Sequence, residues 1–207
     1  MSIEAVVFDM DGVLIDAREW HYEALNLALE PFGYSIPRFD HLATYDGLPT
    51  RRKLEMLTLE HGLPEGLHGI INRLKQQYTM EIGSQRCRPV FHHEYTLARL
   101  KGLGYRLAVA SNSIRATVEF LMDRSRLDRY LDFIVSNQDV ARPKPAPDIY
   151  VRTCELLELP PDRVLVVEDN ANGIRAAEEA GTNLLVVNSV EDVTLDRVRM
   201  AINRLGT

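Results

Sequence analysis

Five short, unbroken apolar runs constrain this chain more than any other feature of its sequence: Ala5 to Phe8, Leu107 to Ala110, Phe133 to Val135, Val164 to Val167 and Leu184 to Val187. A strand with one wet face alternates apolar and polar side chains. A run without alternation is buried on both faces, as in a parallel sheet covered by helices. Helix signals lie between several of the runs. Pro147 opens a helix that places Tyr150, Cys154 and Leu157 on one face. Asn170 or Asn172 caps the next, and Gly181 ends it. Strands alternating with helices predict an α/β fold with a Rossmann-like, doubly wound parallel sheet.

The stretch between the first two runs, from about Ile15 to Ser84, is too long for one crossover and reads as helices. Trp20, Ala24 and Leu27 form one helical stripe that stops near Pro31. Leu67, Ile70, Ile71, Leu74 and Tyr78 form another, opened by Pro64. The expected organisation is therefore a core domain of residues 1–14 and 85–207, carrying a small α-helical cap domain, residues 15–84, inserted after the first strand. The 207 residues, 45% of them hydrophobic, suffice for such a core without disulfides or a structural metal. Cys87 and Cys154 stand outside any CxxC pair and read as incidental buried thiols.

The net charge of -6 argues against a nucleic-acid partner, which would need clustered Lys and Arg. It leaves room for a small phosphate ester, because a local pocket can be positive on an acidic protein. Neither a signal peptide nor a membrane-spanning run is read in the chain, so the expected setting is cytoplasmic, without membrane, as a monomer or weak homodimer.

Ligands of open α/β sheets bind beyond the carboxyl ends of the strands. Asp9 and Asp11 follow the first run, Ser111 and Asn112 the second, and Glu168 and Asp169 the fourth. Like charges gathered at strand ends repel unless a cation sits among them. In Asp9-Met10-Asp11-Gly12, positions two apart point the same way in an extended chain, and Gly12 permits a sharp turn. Hard oxygen ligands with room for water and phosphate describe a Mg²⁺ site. A carboxylate can attack phosphorus, and a second can protonate the leaving alkoxide and then activate water. Asp9 suits the first role and Asp11 the second. Ser111, at the start of a helix, supplies donors to the phosphoryl group, and Lys144, flanked by Pro143 and Pro145, supplies positive charge.

Asp9-Met10-Asp11-Gly12-Val13, Ser111-Asn112, Lys144-Pro145-Ala146-Pro147-Asp148 and Val167-Glu168-Asp169-Asn170, with Gly173-Ile174 following, closely resemble the haloacid dehalogenase superfamily, in the order of its phosphatase and phosphoglucomutase branch. The resemblance spans essentially the whole chain. It implies that Asp9 is nucleophile and metal ligand, and that Asp11 is general acid/base and binds metal through its backbone carbonyl. It implies that Ser111 and Lys144 hold the phosphate, and that Asp169 binds Mg²⁺ with Glu168 in or near the coordination shell. The family's helical cap matches the insert. An aspartate two places after the nucleophile is similar to the pattern of phosphomonoester chemistry, not of dehalogenases or phosphonate hydrolases. The implied partner is a small phosphorylated metabolite, sugar-phosphate-like, with Asn112, His21, Gly47 and Arg51 as candidate substrate contacts.

Competing readings bear on several of these residues. An EF-hand loop counted from Asp9 would put Leu14 where glycine is needed and Trp20 where glutamate is needed, which excludes it. His21 falls where the family's sugar-phosphate mutases carry a contributing residue, yet a plain helix histidine near the hinge fits too. Arg51 or Arg52 suits a carboxylate or second phosphate, against a solvated helix start, and Lys75 follows the same reasoning. His92-His93 lacks metal-ligand spacing and is assigned to a surface loop. A phosphomutase shares the whole constellation, although Ala17 stands where the resembling mutases have a hydroxyl residue. A catalytically silent binding protein on the same fold is the remaining alternative.

Overall fold

The structure, a computed structural model, describes residues 2–205. The chain divides into two compact units, residues 1–16 with 88–207, and residues 17–87, a little beyond the expected boundaries.

The first unit is built on five strands: β1 (Ala5–Phe8), β2 (Arg106–Ala110), β3 (Phe133–Val135), β4 (Val164–Glu168) and β5 (Asn183–Val186). All are parallel, in the order β3-β2-β1-β4-β5. The four residues of β1 and the five of β4 are all buried, as unbroken apolar runs require. Each fully buried Val or Leu contributes about 1.5–3 kcal/mol over leaving it in water. One core cluster joins Ala5, Val7, Ala108, Val164 and Val166 to Ile149, Tyr150, Cys154 and Leu157 of the helix Asp148–Leu157, the face expected from sequence. The α/β fold class inferred from the apolar runs is thus the one observed.

Register decides what meets at the strand ends. Phe8 lies opposite Val109 of β2 and Val167 of β4. The pairing continues one step further, with Asp9 N–H donating to Val167 O at 3.0 Å and Ser111 N–H to Val135 O at 3.0 Å. Asp9, Ser111 and Glu168 therefore leave the sheet at one edge, on its central strands.

The second unit has three principal helices, Arg18–Leu29, Thr50–His61 and His68–Arg86. They enclose a separate core of Leu25, Ala28, Leu29, Ile36, Tyr45, Leu54, Leu57, Leu63 and Ile71. Gly62, at φ +71°, ends the second helix in the left-handed conformation that glycine adopts without strain. The buried face of the first helix is Ala24, Leu25, Ala28 and Leu29, so Trp20 and Leu27 of the expected stripe lie at its margin. In the third helix Ile71 is buried while Ile70, about 100° around the axis, is 41% exposed. The pair His92-His93 is a correction of another kind. Both lie in the helix Phe91–Gly102, and His93 is buried, with its Nε2 2.8 Å from Val190 O. Two adjacent histidines on a helix face different ways, which a loop assignment misses. Among the described residues no helix is long and apolar enough to cross a membrane.

Candidate active site

Lys144 organises the site. It is 4% exposed, in a loop before the helix Asp148–Leu157, and its peptide bond to Pro145 is cis. Its Nζ donates to Asp9 Oδ1 at 2.6 Å, Glu168 Oε1 at 2.6 Å and Ala110 O at 2.8 Å. These three acceptors match the three N–H bonds of an ammonium group. Asn112 fixes the lysine's backbone: its Oδ1 accepts from Lys144 N at 2.9 Å and its Nδ2 donates to Lys144 O at 3.1 Å. The residue expected to meet substrate is thus also a clamp on the lysine. Ser111 is buried and its Oγ accepts from Ser113 N–H at 3.0 Å. Ser113 in turn donates to Asp11 Oδ2 at 3.1 Å.

Glu168 is surrounded by donors. Beyond Lys144, its Oε1 accepts from the Tyr150 hydroxyl at 2.6 Å, and its Oε2 accepts from the backbone N–H of Asp169 at 3.1 Å and of Asn170 at 3.4 Å. The carboxylate rests against the start of the helix Ala171–Glu179, where the helix dipole favours negative charge. Asn170 caps that helix by accepting from Asn172 N–H at 2.9 Å. Gly173 completes the cradle, because a Cβ there would collide with the Glu168 carboxylate. Gly12, at φ +89°, plays the same part for Asp169, whose carboxylate occupies the place a Cβ would take.

The electrostatics follow from burial. Desolvation pushes the Asp9 carboxyl well above the usual carboxylate range, and Glu168 and Asp11 add to this while Lys144 opposes it. Burial pulls the Lys144 ammonium down, yet the Asp9 and Glu168 charges outweigh it and hold it above the ordinary lysine value. Burial, then the Glu168 charge, keeps the Tyr150 phenol firmly protonated.

Asp9, Glu168 and Asp169 each offer a carboxylate oxygen, all within 4.8 Å of one another. One ammonium serves both Asp9 and Glu168, so the acidic group as a whole carries an excess of negative charge that a divalent cation balances. The donor set is hard oxygen, which suits Mg²⁺. Asp9 and Asp169 fit it best, since each Glu168 oxygen already accepts two hydrogen bonds.

The remaining candidates lie in the helical unit. His21 Nδ1 is 3.1 Å from Lys75 Nζ. Gly47 has φ +69° in the turn before the helix Thr50–His61. Arg51 is strongly exposed and pairs with Glu55 at 3.1 Å, one helical turn on. Two further residues stand out here. Lys53 is buried on the same helix as Arg51, and His41 is buried with Nε2 lacking a hydrogen-bond partner. Tyr22 packs edge-on to the His41 ring, at 5.0 Å between centroids. Burial, then the nearby Lys53 charge, lowers the His41 pKa to about 4. Lys53 shares the buried face of its helix with Leu54 and Leu57, and a lysine at that spacing is the signal the sequence offers. In the first unit, the sequence assigns Tyr150 and Gly173 no part in holding Glu168. The tyrosine reads as one more member of an apolar stripe, yet a phenol among apolar neighbours needs a hydrogen-bond partner.

Residues 6–187 match the family model described as haloacid dehalogenase-like hydrolase. The chain is 29% identical over 192 residues to the phosphorylated carbohydrates phosphatase of Thermotoga maritima, covering 92% of this chain and 88% of that one. It resembles the solved structure of CbbY from Rhodobacter sphaeroides in complex with xylulose-(1,5)bisphosphate, with a TM-score of 0.81 and 27% identity over 89% of this chain and 85% of that one. The β-phosphoglucomutase of Clostridium difficile shares the fold, with a TM-score of 0.83 at 21% identity over 98% of each chain.

Proposed function

This chain belongs to the haloacid dehalogenase-like hydrolase family, and we propose that it is a Mg²⁺-dependent phosphatase of a small, sugar-phosphate-like metabolite, acting through an aspartyl-phosphate on Asp9. The observation that carries the reading is the contact of Lys144 with both Asp9 and Glu168 at 2.6 Å, at the edge of the sheet where Ser111 also emerges. A buried lysine pinned beside a buried carboxylate is arranged for negative charge that arrives with the substrate.

In this reading Asp9 attacks phosphorus and the P–O bond to the substrate alcohol breaks. Asp11, held by Ser113, gives its proton to the departing oxygen. Asp11 then takes a proton from the water that attacks the phosphorus of the aspartyl-phosphate, and this releases phosphate and restores Asp9. Lys144 and Ser111 hold phosphoryl oxygens throughout. Asp9, Asp169 and the Asp11 backbone carbonyl would hold Mg²⁺, which when bound neutralises phosphate charge and relieves repulsion among the carboxylates.

The substrate class is supported by the helical unit, where Lys53, His41 and Arg18 lie near one another and Asp46 pairs with Arg18 at 3.3 Å. Such a basic group suits a metabolite with a second anionic substituent, as in the bisphosphate bound by the CbbY relative. One observation favours a phosphomutase instead, namely the His21–Lys75 contact, since His21 falls where the resembling sugar-phosphate mutases carry a contributing residue.

Phosphate release from p-nitrophenyl phosphate and a panel of sugar monophosphates and bisphosphates, with Mg²⁺ and with EDTA, tests the proposal. Turnover that needs metal and is greatest on a bisphosphate is the expected result. Interconversion of hexose phosphates on adding a sugar bisphosphate primer would establish the mutase instead. No turnover of either kind would leave a silent binding protein.

A further inference from the structure

Tyr150 is fully buried and has no part in the chemistry described so far. Its hydroxyl donates to Glu168 Oε1 at 2.6 Å, and the face of its ring lies 4.9 Å from Lys144 Nζ. We propose that Tyr150 is a positioning residue for phosphoryl transfer: it holds the Glu168 carboxylate on Lys144, so that Glu168 serves the lysine and not the metal. The proposed function is the premise for the catalytic half of this claim.

Glu168 has about four acceptor positions, as any carboxylate does. Lys144 and Tyr150 take two at Oε1, and the backbone of Asp169 and Asn170 takes two at Oε2. Gly173 walls the remaining side. Without the phenol, Oε1 has one donor fewer and the carboxylate gains freedom to rotate off the lysine, towards Asp9 and Asp169, which already stand within 4.8 Å.

Lys144 needs this anchor. In the resting site it spends one donor on Asp9, but during transfer that donor must pass to a phosphoryl oxygen as Asp9 becomes esterified. The contacts to Glu168 and Ala110 O are the ones that persist. The Tyr150 ring adds a cation–π contact to the same ammonium group. A group that keeps its place while one partner changes stabilises the transition state more than it tightens substrate binding.

Tyr150→Phe keeps the ring and the packing and deletes only the hydroxyl. The expected result is a roughly tenfold fall in kcat with KM unchanged within about twofold. The Mg²⁺ dissociation constant, measured by calorimetry on the substrate-free protein, should stay within about twofold. Glu168→Gln should cost at least as much in kcat, and the double variant should lose no more than Glu168→Gln alone, because both act through one contact. Losses that multiply in the double variant, an unchanged kcat in Tyr150→Phe, or a Mg²⁺ affinity weakened about tenfold would each overturn the proposal. If the wild-type protein turns over no phosphate ester, the functional reading falls by itself. Crystal structures of the two proteins then decide the positioning claim: a Lys144–Glu168 contact opened beyond 3.5 Å in Tyr150→Phe upholds it, and an unchanged contact overturns it.

Discussion

Charge is handled in opposite ways in the two units of this protein. At the strand ends of the first unit, Asp9, Lys144 and Glu168 are 8%, 4% and 1% exposed, and their partners lie far away in sequence, 135 positions for Lys144 and Asp9. In the helical unit ion pairs lie at the surface, such as Arg51 and Arg52 with Glu55, three or four residues on, and Arg38 with Glu19, 19 positions away. Exposed pairs of that kind contribute about 0–1 kcal/mol and tolerate exchange. A buried pair broken by loss of one partner costs about 3–5 kcal/mol, because the other charge is stranded. The first unit therefore holds chemistry that single substitutions destroy, whereas the helical unit can be rewritten on its surface at little cost. His41 and Lys53 are the exceptions, buried basic groups in the unit where charges are otherwise wet.

Substitutions at graded positions test this contrast. The largest effect is expected for Asp9→Asn, which removes the proposed nucleophile: kcat should fall by about 10³-fold or more, read as phosphate release, with the protein still folded by circular dichroism. Lys144→Met should lower kcat by about 10²–10³-fold and, by stranding Asp9 and Glu168, cost about 3–5 kcal/mol in urea unfolding. A Lys144→Met protein as stable as wild type would break the comparison at its centre. Gly173→Ala forces Glu168 out of its cradle and should cost about 1–3 kcal/mol, with a parallel loss of kcat.

Next comes pH. The folded-state pKa of His41, about 4, lies below the ordinary 6.5. Between these values the unfolded chain binds the proton and the folded chain does not. The contribution is therefore fully present above pH 6.5 and is lost as pH falls towards 4. Melting temperatures of wild type and His41→Phe across this window should converge or cross on acidification, and parallel curves would remove His41 from the list of exceptions. The smallest effect is expected at Arg51→Ala, within about 0.5 kcal/mol in stability, since its ion pair with Glu55 is exposed.

The sheet and most of the site were legible in the sequence because both rest on local signals. An apolar run of four residues announces a doubly buried strand, and the polar residue after it announces the strand's end, which is how Asp9, Ser111 and Glu168 were found. The helical unit was less legible. Its helices present faces two residues wide, Ala24 with Leu25 and Ala28 with Leu29, which a search for spacings of three and four reads only in part. The supporting residues were hidden for another reason. Nothing local says that the Tyr150 hydroxyl meets Glu168 or that Gly173 must lack a side chain to admit it. Tyr150 stands 18 positions before Glu168, on the helix that precedes β4, and Gly173 lies in the helix that follows it, so each contact depends on how a helix folds back beside the strand. The meeting of Asp9 with Glu168 follows from the parallel register of β1 and β4, which brings together segments that no window along the chain contains.

That register also governs when the site can exist. β1 is made first, yet it lies at the middle of the sheet, and its neighbour β4 comes near the end of the chain. Closing so long a span costs entropy before any contact rewards it, and folds dominated by such pairings are slow to form. On an elongating chain Asp9 emerges long before Lys144 and Asp169, so for a long stretch of synthesis the proposed nucleophile has neither its lysine nor the carboxylate beside it. Competence in this architecture waits on segments far along the chain from Asp9, and a product truncated before β4 is expected to lack the chemistry altogether rather than perform it poorly.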